Sequence, residues 1–221
     1  MRLAVIDASL VGGGPVAHTL TCAVAELPGA TVLRVRTFDL FGHVCAACTD
    51  CSRSGRCTRH DPALDDAIVS LASAEALLVG CPGHLHAHDP RCGALLERLV
   101  GGFGNIDTVR GRQTPRSVSA VRKRAALVCG APPLTGVPAM LGMLPSGAAG
   151  VWRMLERADA AIVGCAAVGS RWAGPASRDR AGVSARAIAR SLAAGPSRPA
   201  PPASAPVRGV AAALLGVVRS I

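Results

Sequence analysis

The chain has 221 residues, half of them apolar, which is enough to bury the core of one domain and excludes disorder throughout. Charged residues make up 17% and no apolar run approaches the roughly 20 residues that cross a bilayer, so a membrane-spanning chain is excluded on hydropathy. The net charge of +10 is uneven, with 9 basic and 11 acidic groups in residues 1–110 but 15 and 3 in residues 111–221.

Such basicity raises the question of nucleic acid, yet the chain has no Tyr, only 2 Trp and 3 Phe, and a single Lys, which leaves no platform for stacking bases. A bias towards Ala, Gly, Pro and Arg accounts for the charge at least as well as a binding surface does. Asp7 interrupts the first apolar stretch before the core of a secretion signal could form, so a cytoplasmic location is expected.

In chain order, the apolar runs Leu3–Ile6, Val32–Val35, Ala76–Val79, Ala125–Cys129 and Ala160–Gly164 read as five buried strands. Helix-length patterns at Val16–Glu26, Ala63–Ser73, Arg91–Val100, Gly150–Arg157 and Arg178–Ala194 separate or follow them. This alternation predicts an α/β fold with a doubly wound parallel sheet covered on both faces. Residues 1–194 are expected to form that domain, and 195–221 a Pro/Ala-rich linker followed by a short apolar segment. The long connections 37–60, 101–122 and 130–149 are where chemistry is to be sought.

The first of these holds the sharpest motif, Cys45, Cys48, Cys51 and Cys57, spaced C-x2-C-x2-C-x5-C. Two-residue gaps let three thiolates converge, and Gly55 permits the chain to bring back the fourth. Four sulfur ligands select an iron–sulfur cluster or zinc, and consecutive two-residue gaps suit a [4Fe–4S] cluster better than the paired knuckles usual for zinc. Unligated clustered thiols, the remaining alternative, would be prone to oxidation.

A first strand followed by Ser9 and a glycine-bearing loop, the compact cysteine motif, Gly80-Cys81-Pro82 after the third strand and Leu95-Leu96-Glu97-Arg98 in the next helix resemble the iron–sulfur flavoproteins and the wider NADPH-dependent FMN reductase family. The resemblance spans residues 1–194. It implies a three-layer, flavodoxin-like sheet of order 2-1-3-4-5, FMN at the carboxyl edge and a [4Fe–4S] cluster on the four cysteines. Ser9, Gly12, Gly13 and Gly14 would approach the phosphate, and Pro82, Gly83 and His84 would border the ring. Where the family loop carries an Arg, an Asn and a Thr or Ser, this chain has Val11, Pro15 and Val16, and His84 replaces an aromatic Tyr. The resemblance also implies a homodimer and a reduced nicotinamide, NAD(P)H, as electron donor. A flavin-free relative, using the cysteine loop as a zinc clip or an interaction surface, is the alternative reading.

Three further features have simpler readings. His84, His86 and His88 alternate, but no histidine or acid elsewhere is spaced to complete a metal site with them, so they read as a polar loop. Cys81, Cys129 and Cys165 end three strands and read as small buried side chains, and Cys22 as helix core. The run Arg110, Arg112, Arg116, Arg122, Lys123 and Arg124 is either a solvated loop or an attractor for a nicotinamide phosphate or an acidic, ferredoxin-like electron-transfer partner, with Arg112 and Arg116 as candidates.

Overall fold

A computed structural model describes residues 1–9, 13–40, 62–81, 92–96, 104–109, 112–117, 123–131, 146–158, 160–169 and 175–194. The elements are β1 (Arg2–Asp7), α1 (Pro15–Ala25), β2 (Thr31–Arg36), α2 (Pro62–Ala72), β3 (Ala76–Cys81), β4 (Gly104–Val109), β5 (Arg112–Ser117), β6 (Lys123–Ala131), α3 (Ser146–Arg157), β7 (Ala160–Gly169) and α4 (Pro175–Ala194).

Five strands pair in the order β2-β1-β3-β6-β7, every pairing parallel. With β6 and β7 as the fourth and fifth strands of the sheet, this is the flavodoxin-like order expected above. Strands β1 and β3 are buried on both faces, which is why their sequences are continuous apolar runs rather than alternating ones. Strand β2 lies at the edge, and four of its first five residues are exposed.

The period of two along each strand divides the core. Leu3, Val5, Leu78, Ala126 and Val128 face one way, against Val16, Leu20 and Ala23 of α1 and Ala185, Ile188, Ala189 and Leu192 of α4. Ala4, Ile6, Leu77, Val79 and Leu127 face the other way, against Leu71 of α2, helical residues 92–96, and Val151 and Leu155 of α3. The helical residues recur at intervals of three, four and seven, so each helix buries one stripe, and the result is three layers.

Two strands extend beyond their apolar runs: β6 continues to Ala131 and β7 to Gly169. Inside the second long connection, β4 and β5 form an antiparallel ribbon with Val109 opposite Arg112. The cysteine loop 45–57 and the tail 195–221 lie outside the described residues. No helix among the described residues is long and apolar enough to cross a membrane.

Candidate functional site

In an open parallel sheet, the crevice forms at the carboxyl ends of the strands where the order reverses, which here falls between β1 and β3. Asp7 pairs with Gly80 in register there, and the amide of Ala8 donates to the Gly80 carbonyl at 2.8 Å, so the chain leaves β1 still bound to β3. Gly13 follows with φ of +85°, a left-handed conformation that glycine adopts without strain, and a Cβ at this position would have no described atom within 4 Å. Gly14 is the N-cap of α1, extended and with no side-chain cap, and Pro15 opens the helix. Proline suits that position because its missing N–H would have had no helical acceptor. The first helical bond runs from His18 N to Gly14 O at 2.9 Å, so the amides of Val16 and Ala17 precede it, at the positive end of the helix.

An anion suits the start of α1, because the first amides of a helix point outward at its positive end and the N-cap glycine has no side chain to accept from them. Ser9, which the resemblance places at the phosphate, bonds to Asp7. Oδ1 of Asp7 accepts from Ser9 N at 3.1 Å and from Ser9 Oγ at 2.5 Å, while Oδ2 accepts from Arg34 Nη2 at 3.1 Å. Asp7 is 5% exposed, so its charge is held by these three donors rather than by water. The residues therefore fit the phosphate end of FMN through backbone amides at Gly14 and the first turn of α1, with Ser9 bonded to Asp7.

Of the other expected site residues, Gly12, Pro82, Gly83 and His84, together with Cys45, Cys48, Cys51 and Cys57, lie outside the described residues. So do His86 and His88. Lys123 and Arg124 are placed, and their position corrects the reading of the basic run. They begin β6 and so sit at the amino edge, opposite the crevice, because parallel strands carry all their N-termini on one side. There Lys123 donates to the Ala74 carbonyl and Arg124 to that of Leu192, the latter closing the end of α4. Arg112 and Arg116 fall on β5. A cleft lined by Glu26, Arg186 and Arg190 lies at the C-terminal ends of α1 and α4, also away from the crevice.

Sequence reading located the thiols at the strand ends but not their mutual contact. Burial and the neighbouring Cys165 push Cys81 up to about 12. A hydrogen bond between Cys129 and Cys165 raises the first and, by stabilising the thiolate of the second, lowers Cys165. Cys22 is half-buried rather than core, with its Sγ 3.5 Å from His18 Nε2. Among the described residues, no group of three or more His, Cys, Asp or Glu side chains is disposed to hold a metal ion.

No protein-family profile and no curated protein matches the chain by sequence. Solved structures do match it. A protein of Streptococcus mutans UA159 superposes with a TM-score of 0.64 at 13% identity, over 86% of this chain and 99% of that one. An NAD(P)H:quinone oxidoreductase from Methanothermobacter marburgensis gives 0.63 at 14% identity over 87% and 96%. An azoreductase from Bacillus anthracis str. Sterne gives 0.58 at 12% identity over 87% and 99%. At these identities the likeness is one of fold.

Proposed function

We propose that this chain is a flavin-dependent oxidoreductase or electron carrier that holds FMN in the β1–β3 crevice and a [4Fe–4S] cluster on Cys45, Cys48, Cys51 and Cys57, with NAD(P)H or an acidic, ferredoxin-like protein as donor. The observation that carries it is the N-terminus of α1, capped by Gly14 and opened by Pro15, which stands at the switch point of a flavodoxin-like sheet. That solved neighbours of the same fold are named as a quinone oxidoreductase and an azoreductase supports the same reading. The quinone oxidoreductase's nicotinamide points to the same donor class.

Bound FMN supplies hydride acceptance and one-electron exchange, so the chain itself needs to bind and orient rather than to move a proton. The amides of Gly14, Val16 and Ala17 would hold the phosphate, with Gly12 and Gly13 completing the turn, and Pro82, Gly83 and His84 would border the ring. Arg34 keeps Asp7 neutralised beside that phosphate, which limits the repulsion a lone carboxylate would exert. The paired role assigned to the four cysteines rests on their spacing, which suits single-electron transfer to and from the crevice.

One observation favours the second reading, a flavin-free relative with zinc or an interaction role in the cysteine loop. The hydroxyl and amide of Ser9, expected to face phosphate, both go to Asp7. Titration of FMN into the purified full chain separates the two. Saturable, one-to-one quenching of flavin fluorescence supports flavin function, whereas no quenching together with one zinc per chain supports the flavin-free form.

A further inference from the structure

A cleft of about 350 Å³ lies between the C-terminal ends of α1 and α4, lined by Glu26, Arg186, Ala189, Arg190 and Ala193. Its size is at the lower end of the range for small-molecule sites. Ala189 is 2% exposed and forms an apolar floor, whereas the three charged residues are exposed. Arg186 and Arg190 are four residues apart on α4, so they stand side by side on one face. Arg190 Nε donates to the Arg186 carbonyl at 3.4 Å, which draws its side chain back along the helix. Arg186 runs back in the same way, its Nη1 3.8 Å from where a Cβ on Gly182 would stand. The two guanidinium groups are therefore offset by about one helical turn, roughly 5–6 Å.

The charges in this cleft are not arranged for stability. Glu26 is the C-cap of α1, where the helix dipole disfavours an acid, and no basic residue stands in the last turn to offset it. Among the described residues, no ion pair within 4 Å joins Glu26 to either arginine, although all three line the same cleft. The C-terminus of α4, whose carbonyls would repel an anion, is closed by Arg124, which donates to Leu192 O and, at 3.4 Å, to Ala193 O. Arginines thus outnumber the single carboxylate around the cleft, and its field is positive.

We propose that this cleft binds a phosphorylated sugar, with Arg186 and Arg190 on the phosphate, Glu26 accepting from the sugar hydroxyls and Ala189 against the carbon face. A guanidinium presents paired N–H donors that match phosphate oxygens, and two of them a turn apart reach opposite sides of one phosphate group. An ionised carboxylate only accepts, so Glu26 calls for hydroxyls or an amine and turns away a second anionic group. The positive field around the cleft disfavours the amine. A bare phosphate leaves Glu26 without a donor, and a bare sugar leaves the arginines without an anion.

The cleft is at the far end of α1 from the turn that would hold the FMN phosphate, about 16 Å away along the 11 residues of that helix. The two sites share no residue, and the inference does not depend on the flavin reading.

Calorimetric titration of the full chain with ribose 5-phosphate tests the site, with inorganic phosphate, ribose and phosphoethanolamine titrated separately. The expected result is saturable, one-to-one binding of ribose 5-phosphate, about tenfold tighter than inorganic phosphate, with no heat from ribose. Replacing both arginines, Arg186→Ala with Arg190→Ala, should abolish binding of ribose 5-phosphate and of phosphate alike. Glu26→Ala should erase the tenfold preference for the sugar phosphate while phosphate still binds. All three side chains are exposed, so the variants should keep the wild-type circular dichroism, which is recorded on each. No saturable binding to the wild-type chain, equal affinity for ribose 5-phosphate and phosphate, or tighter binding of phosphoethanolamine overturns the proposal. So does undiminished binding by the double arginine variant, which would place the ligand elsewhere, the α1 N-terminus included.

Discussion

Arg34 reaches diagonally from β2 to place Nη2 3.1 Å from Oδ2 of Asp7 at the carboxyl end of β1. Arg34 is opposite Val5 in register, so its side chain emerges on the same face as those of Val5 and Asp7. The Asp7 side chain is 6% exposed and that of Arg34 42%, so the pair is half in water and its worth is well below that of an enclosed one. Arg34→Ala should lower stability by about 1–3 kcal/mol, chiefly by removing a donor from a desolvated carboxylate. Urea unfolding checks this, and an unchanged midpoint would mean that water replaces the guanidinium.

The same carboxylate bears on the proposed flavin. Asp7→Asn removes a negative charge beside the phosphate cradle and weakens the hold on Ser9 Oγ, freeing a donor for the ligand. FMN affinity should rise roughly fivefold to tenfold, the equivalent of about 1–1.4 kcal/mol from one added hydrogen bond. Flavin fluorescence quenching measures it. Weaker binding by a folded variant would show that Asp7 orders the loop for the ligand instead of competing with it.

At Gly80, α1 packs tightly against β3. A Cβ there would come within 2.5 Å of Leu20 Cδ1 and 2.9 Å of Val16 Cγ1, and both side chains are buried. Gly80→Ala should therefore cost about 1–3 kcal/mol through overpacking, and should loosen the helix terminus that would hold the phosphate. Gly164→Ala is the control, since its nearest atom, Ser191 Cβ, is at an ordinary 3.5 Å. Equal thermal midpoints for the two variants would contradict this packing.

Alkaline stability reports on the thiol cluster. Cys81 titrates near 9.0 when unfolded but is pushed up to about 12 in the fold, so the unfolded chain releases a proton that the native chain keeps. Stability from this group is fully present below pH 9 and is lost as pH rises towards about 12, with a slope of up to about 1.4 kcal/mol per pH unit. Lys123, lowered by burial and by Arg2, acts in the opposite sense, but it is common to the wild type and to Cys81→Ala. The variant should show the shallower decline in urea midpoint above pH 9; parallel curves would place Cys81 in water.

The sheet was legible because its strands are buried on both faces. Leu3–Ile6 and Ala76–Val79 are uninterrupted apolar runs between turn residues, and the helices between them show their stripes. The β4–β5 ribbon was not legible, because Arg112-Gln-Thr-Pro-Arg-Ser carries neither alternation nor an apolar run, and pairing alone defines it. Arg124 read as part of a charged loop for a similar reason: its acceptor, Leu192 O, is brought to it only by tertiary packing. At the candidate site, Ser9 and Gly13 could be picked from the strand–loop–helix pattern, and the bond from Ser9 to Asp7 is local, but the Arg34 contact with Asp7 depends on strand register. That register is not written in any local spacing.

The central claim is that FMN and a [4Fe–4S] cluster reside on one chain, and an anaerobic visible spectrum with iron, zinc and flavin counted on the same sample tests it most directly. The account predicts a brown protein with about one FMN and about four irons per chain, and loss of the iron but not of the fold in Cys48→Ser. A colourless preparation with less than about one iron per chain and no extractable flavin would contradict it.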